Sequence, residues 1–381
     1  MDNEIWLTLP HHILVQIFSC LSQNDRLTLS LVCKSWAEVF HDSQLWSHFV
    51  FKFDTNNDAE GKALVCAERY NNELKDVELL VNQSQEVSRK RAVAVVDSLI
   101  EVELWKLTRF KFGFTGENPL CFNGNYILDK VKDLLRSIKD KDVAFDLRVI
   151  DLSRMNIALD DSMLNILSEL HLGLRVVHIQ NYCLVDNITA EGVLKLVKSC
   201  KRIEELYAFF HCITDDVIDV LSNNVGRATL NVLSLMCNRS DKYTSMVSSD
   251  AWASLKKSNP DLELIMKFHS TMPRHMINPI LCHPIPVTKI DLHIYCWLDE
   301  EVQHIADVCN TTLRSLSCYT SLDPNDKANE ALPPALLQLA SRCDKLTELH
   351  CHCILPQDTI DQINTMCDLN FSTLYSSRIF D

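Results

Sequence analysis

Along the first fifty residues the apolar positions recur at helical spacing. After Leu9-Pro10, the residues Ile13, Leu14, Ile17, Phe18 and Leu21 fall three or four apart, which predicts a helix with one apolar stripe. Pro10 suits the first helical position, where a missing N–H costs nothing. Asn24 or Asp25 can cap the next helix. Leu27, Leu29, Leu31, Val32, Trp36 and Phe40 then continue an almost all-round apolar pattern, and Leu45-Trp46 closes the module near residue 50. Below roughly 70–80 residues a single core is thin. The expectation is a small helical module that completes its core on a partner, set against a plain helical hairpin packed on the rest of the chain.

The remainder aligns on L-x-x-L-x-L. Units start at Leu74, Leu107, Leu147, Leu174, Ile203, Leu230, Leu262, Val287, Leu313, Leu346 and Phe371. Most steps fall at or just beyond the roughly 20–29 residues of leucine-rich repeats. Helix-like stretches follow the strand-like starts, as at Met163 to Leu170, Ala190 to Lys198, Asp215 to Leu221 and Glu300 to Val308, with Asp160, Thr189, Thr214 and Asp358 as candidate caps. One strand–helix unit cannot bury its own apolar face, so neighbours share a continuous core. The polar stretch at 54–61 reads as a loop or linker.

Strand alternation assigns the leucines inward and the third, fifth and seventh places outward. That register sets Tyr207, Phe209, Met236, Met266, Phe268 and Tyr319 on an exposed concave face, as candidates for binding a protein target. The alternative is that loops cover them or that the register is off by one, which would swap the faces. Acidic neighbours such as Glu205 and Asp291 favour a partner with some basic character. The prolines of 270–286 are expected to hold that insertion extended.

The order Leu-Pro, Ile-Phe-Ser, Leu, Val-Cys-Lys-x-Trp, Leu-Trp over residues 5 to about 49 resembles the F-box. The repeats resemble the cysteine-containing leucine-rich repeats of F-box proteins, best at Cys200 before Ile203 and at Cys212-Ile-Thr-Asp215. One departure is His12, where the family often has an acidic residue. The resemblance implies an α/β chain in which a short N-terminal all-helical F-box precedes a leucine-rich-repeat solenoid, with parallel strands on the concave face and helices outside. The expected domains are 1–50 as the F-box module, 51–73 as a linker and connecting segment, and 74–381 as a solenoid of about eleven units. By the same resemblance Leu9, Pro10, Ile13, Ile17, Phe18, Leu31, Val32, Cys33 and Trp36 form or support an interface with a Skp-type adaptor, and through it a cullin. The implied role is the substrate-recognition subunit of a cullin-type ubiquitin ligase. A non-ligase interaction scaffold using the same two surfaces is the alternative.

Composition narrows the chemistry. The net charge of −14 argues against nucleic acid as a main ligand, because phosphate binding needs surplus Lys and Arg. No run of eighteen apolar residues exists, and no basic region leads into an apolar stretch at the N-terminus, so neither a membrane nor a secretory signal is expected. The sixteen cysteines then read as reduced thiols at core-like positions. The expected compartment is the cytoplasm, with Ser88-Arg-Lys-Arg91 a weak nuclear-import candidate. His350-Cys351-His352-Cys353 looks like a metal site, but on a strand the histidines face one way and the cysteines the other. No paired Cys-x-x-Cys motifs and no nucleophile signature stand out, so neither metal, cofactor nor catalysis is expected.

Overall fold

The computed structural model describes residues 9–54, 58–116, 124–140, 146–183, 187–243, 246–282, 284–320, 323 and 325–376. The chain forms two compact units, 1–158 with 181–183, and 159–180 with 184–381.

The first unit opens with α1 (His11–Ser19), α2 (Gln23–Ser30) and α3 (Lys34–Phe40), followed by β1 (His48–Phe53), α4 (Asp58–Tyr70), β2 (Asp76–Val81), α5 (Glu86–Ile100), β3 (Arg109–Phe114), α6 (Asn125–Arg136) and β4 (Val149–Arg154). The carbonyl of Pro10 accepts from the Ile13 and Leu14 amides at the start of α1. Ser22, rather than Asn24 or Asp25, caps α2: its hydroxyl accepts from the Asp25 amide at 3.2 Å. The strands β1 to β4 pair in chain order, all parallel. Their inward residues, among them Phe51, Phe53, Val77, Leu79, Phe110 and Ile150, are fully buried.

The expected linker at 51–73 is a strand–helix unit instead. β1 runs in parallel register with β2 from His48 opposite Asp76 to Phe53 opposite Val81, and α4 follows it. Phe49, Phe51 and Phe53 alternate inward in the manner of a strand. The Leu-based pattern passes over this unit because phenylalanine fills its core positions.

The second unit contains α7 (Asp161–Leu170), β5 (Val176–His178), α8 (Ala190–Ser199), β6 (Glu205–Phe209), α9 (Asp215–Ser222), β7 (Val232–Cys237), α10 (Ser249–Ser258), β8 (Glu263–Phe268), α11 (Ile277–Ile280), β9 (Val287–Leu292), α12 (Asp299–Val308), β10 (Ser315–Cys318), α13 (Leu332–Arg342), β11 (Glu348–Leu355), α14 (Gln357–Met366) and β12 (Phe371–Ser376). Strands β5 to β12 also pair in chain order, all parallel. This is the α/β leucine-rich-repeat architecture.

Capping side chains stitch one repeat to the next. Asp160 caps α7 by accepting from the Met163 amide at 3.1 Å. Asp161 accepts from the amide and the hydroxyl of Thr189, at 2.8 and 2.6 Å, and Thr189 in turn caps α8. Gly192 stands where a Cβ would meet the Asp161 carboxylate at 2.3 Å, so a larger residue there would displace the carboxylate that holds Thr189. Asp215 repeats the device on the Ser248 amide at 2.8 Å. Thr214 occupies the N-cap of α9 without a side-chain bond, and Asp358 lies inside α14, whose N-cap is Pro356.

Two local expectations give way. The insertion at 270–286 is not extended: it holds a 3-10 turn at Arg274–Met276 and the short α11. Pro279 falls within the first turn of that helix, where proline is tolerated. At β8 the register is one residue away from the pattern begun at Leu262. Leu264 and Met266 sit beside the inward Leu233 and Leu235 of β7, so Leu264, Met266 and Phe268 point into the core.

Candidate functional site

Two surfaces carry chemistry, one in each unit. In the first unit, α1 to α3 pack around Leu14, Val15, Phe18, Val39 and Phe40, all buried. Arg26 ties the helices together. Its guanidinium donates to the carbonyls of Phe18, Ser19 and Leu45 at 2.8, 3.0 and 2.9 Å. Burial lowers its pKa, opposed by the nearby Cys20 thiol. Beneath the helices the Trp46 indole donates to the Phe40 carbonyl at 2.7 Å and lies flat on Tyr70, with ring centres 4.0 Å apart.

An apolar edge remains open above this core. Leu31 and Val32 keep 81% and 59% of their surface exposed, and Leu27 is exposed beside them. Leu9, Ile13, Ile17, Leu21, Cys33 and Trp36 are half-buried, and Pro10 is exposed. Trp36 stands edge-on to Phe18, ring centres 6.0 Å apart. Phe18 itself is fully buried, so it presents no surface and supports the edge from below. Trp6 and Leu7 lie outside the described residues. The apolar pattern does not single out Arg26; a lone arginine within an apolar helical stretch is the one signal the sequence offers for it.

The second surface is the face of the sheet in the second unit that carries the outward residues. Tyr207 and Tyr319 lie on it, half-buried. Four other expected members do not. Met266 and Phe268 are fully buried because the register of β8 turns them inward. Phe209 and Met236, neighbours across β6 and β7, have the outward parity yet are 1% and 4% exposed. Both lie near the ends of their strands, where the chain turns into 3-10 turns (Phe210–Cys212 and Arg239–Tyr243), and those ends are closed off from solvent.

Rings occupy the surface instead. His178 lies against Tyr207 with centres 4.1 Å apart. Across β9 to β12 a row runs His293, Tyr319, His352, Tyr375, with successive centres 4.1, 5.6 and 6.0 Å apart. Burial lowers the pKa of His293, with Lys267 adding to the shift and Asp291 opposing it. On the same face Lys289 pairs with Glu263 at 3.0 Å, which raises the lysine pKa. The outward parity assigns His293 and His352 to this face. Tyr375 escapes it, because the last unit reads as a short cap when only its leucine pattern is followed.

On β11, His350 and His352 face outward half-buried while Cys351 and Cys353 are buried. Burial pushes the thiols of Cys200, Cys309 and Cys343 up to about 12, so they stand protonated at neutral pH. Among the described residues no helix is long and apolar enough to cross a membrane.

The fold is thus a leucine-rich-repeat array headed by a small helical module with an open apolar edge. Residues 6–52 match the F-box-like family. Human F-box/LRR-repeat protein 8 is 24% identical over 360 residues, covering 94% of this chain and 92% of the relative. The Mus musculus F-box/LRR-repeat protein 8 is 25% identical over 96% of this chain and 94% of its own length. The Mus musculus F-box/LRR-repeat protein 21 is 23% identical over 90% of this chain and 76% of its own length. The chain therefore carries an F-box-like domain and is homologous to F-box/LRR-repeat proteins across most of its length.

Proposed function

We propose that this chain is the substrate-recognition subunit of a cullin-type ubiquitin ligase. The F-box-like module docks on a Skp-type adaptor, and through it on a cullin, while the open sheet face of the second unit holds a protein target. One observation carries the reading: an F-box-like domain with Leu31 and Val32 bare to solvent stands at the head of a chain homologous over most of its length to F-box/LRR-repeat proteins. Single exposed apolar residues are ordinary, but a contiguous apolar edge on a small helical module marks an association surface. Leu9, Pro10, Ile13, Ile17, Leu31, Val32, Cys33 and Trp36 supply the adaptor contact, with Phe18 beneath them. The chain makes and breaks no bond on this reading. It holds a target lysine near the loaded conjugating enzyme and so makes the encounter effectively intramolecular.

Affinity purification of the full chain tests it. Adaptor and cullin should both be recovered, and both should be lost when Leu31→Asp and Val32→Asp are combined. Recovery of adaptor without cullin would favour a scaffold outside a ligase, and recovery of neither would refute the proposal.

A further inference from the structure

We propose that the ring row of the second unit holds an arginine side chain of the target. The inference rests on the reading of the open sheet face as the target surface, and it names the chemistry of what that face grips.

The row ends in a recess of about 130 Å³ lined by Tyr319, His350, His352, Thr373 and Tyr375, with Cys318 and Cys351 completing its lining. That space admits the head of one side chain. Its shape is set by flat walls: the Tyr319 and His352 rings meet at 42°, and the Tyr375 ring stands at 84° to His352. His293, stacked on Tyr319 at 14°, holds that ring in place. A further tyrosine stands close by. Tyr295 donates its amide to the Tyr319 carbonyl at 2.9 Å and is the one described non-glycine residue in the left-handed region, at φ 56°. Such backbone persists only where its surroundings hold it, and it concentrates at binding sites.

Three properties select the occupant. Aromatic faces attract cations, and a planar guanidinium stacks on them where a compact ammonium does not. An apolar side chain would fill the same space but forgo the attraction of the ring faces for positive charge. The charge of the surroundings also favours a cation. Asp291 and Glu348 lie on the flanking rungs of the same face, and among the described residues neither is within ion-pair distance of a cation. The two lysines on this face are outnumbered: Lys289 pairs with Glu263 and also feels Asp291 and Glu348, and Lys267 lies across from Asp291 and acts on His293, so Glu263, Asp291 and Glu348 leave an excess of negative charge. The chain as a whole carries −14, which steers a basic segment toward it.

Titration of L-arginine amide into the full chain, followed by NMR of isotope-labelled tyrosine and histidine rings, tests the inference. Tyr319→Phe and Tyr375→Phe assign the signals. Saturable shifts confined to the ring row are expected, at least about fivefold tighter for arginine amide than for citrulline amide, and weakened by about the same factor in Asp291→Asn with Glu348→Gln. Ring signals that stay still, or that answer citrulline amide or glutamate amide equally, would overturn it. A second measurement separates this failure from that of the target face. His352→Ala with Tyr375→Ala is compared with the parent chain by proximity labelling in cells. If arginine amide is inert but the substitutions empty the set of labelled targets while the adaptor remains, the arginine inference falls and the target face stands. If arginine amide is inert and that set is also unchanged, both fall.

Discussion

At the scale of single residues, exposure sorts the N-terminal module into parts that fold it and parts that present it. Trp46 is 2% exposed, packed against Tyr70 and Phe49 and anchored by its indole hydrogen bond. Its truncation empties a large volume that neighbours cannot refill, so Trp46→Ala should lower stability by about 3–5 kcal/mol, read as a shift in urea midpoint. Leu31 and Val32 lose nothing of that kind. Replacing both by Asp should move stability by no more than about 0.5 kcal/mol each while abolishing adaptor recovery. A variant that lost both together would place these residues in the core. Arg26 sits between the two classes. It joins the carbonyls at the end of α1 to that of Leu45, so Arg26→Ala should loosen the packing of α1 and α2 and weaken adaptor binding through them, with loss of amide protection at Phe18 to Leu21 as the readout.

At the scale of elements, the sheet registers decide which side chains see solvent. The eleven unit starts read from the sequence open or immediately precede observed strands, β2 to β12, because leucine at fixed spacing is a direct record of a shared core. β1 escapes that record since its core is Phe49, Phe51 and Phe53, and β8 is displaced by one because Leu262 is followed by an alternating Leu264, Met266, Phe268 that fits either register. Of the six side chains expected on the outward face of the sheet, only Tyr207 and Tyr319 lie open on it, and Met266 and Phe268 point into the core. Phe209 and Met236 were beyond the reach of parity, since burial at strand ends depends on the turns that follow. The consequence is measurable. Phe268→Ala should cost about 3–5 kcal/mol of stability, whereas Tyr207→Ala, at a half-open position, should cost far less; equal losses in thermal or urea denaturation would contradict the observed register. The same sheet sets a pH response. Burial holds His269 and His293 below the ordinary value of 6.5, and His41 in the first unit likewise, with Arg69 assisting. The unfolded chain then takes up protons more readily than the folded one as pH falls below 6.5. The stabilisation is fully present above 6.5 and is lost on descending toward the lower folded-state values. Melting temperature should decline between about pH 7 and 5.5, and His269→Gln with His293→Gln should flatten that slope; a slope of the opposite sign would mean these rings gain protons on folding.

At the scale of the molecule, the helical module and the first repeat are one folding problem. A boundary at residue 50 cuts through β1, which pairs with β2 over its whole length. Trp46, at the end of the module, stacks on Tyr70 at the end of α4, and the His41 ring lies 2.6 Å from the Tyr70 hydroxyl. The F-box match itself extends to residue 52, inside the strand. A chain starting at residue 51 keeps Phe51 and Phe53 but loses the indole and the Phe49 ring that cover the end of that core, and it strips pairing partners from the first half of β2. Unpaired edges and bared aromatic rings bind hydrophobic dyes and exchange amides quickly. Residues 51–381 should accordingly show raised dye binding and lost amide protection over Asp76–Val81, while the full-length chain carrying Leu31→Asp and Val32→Asp keeps the protection of the parent. Unchanged protection of β2 in the shortened chain would separate the two cores. The expected result has a functional corollary: the surface proposed for the adaptor is built on the same hydrophobic core that starts the repeat stack, so point substitutions at Leu31 and Val32, and not deletion of the module, isolate adaptor docking from the folding of the repeats.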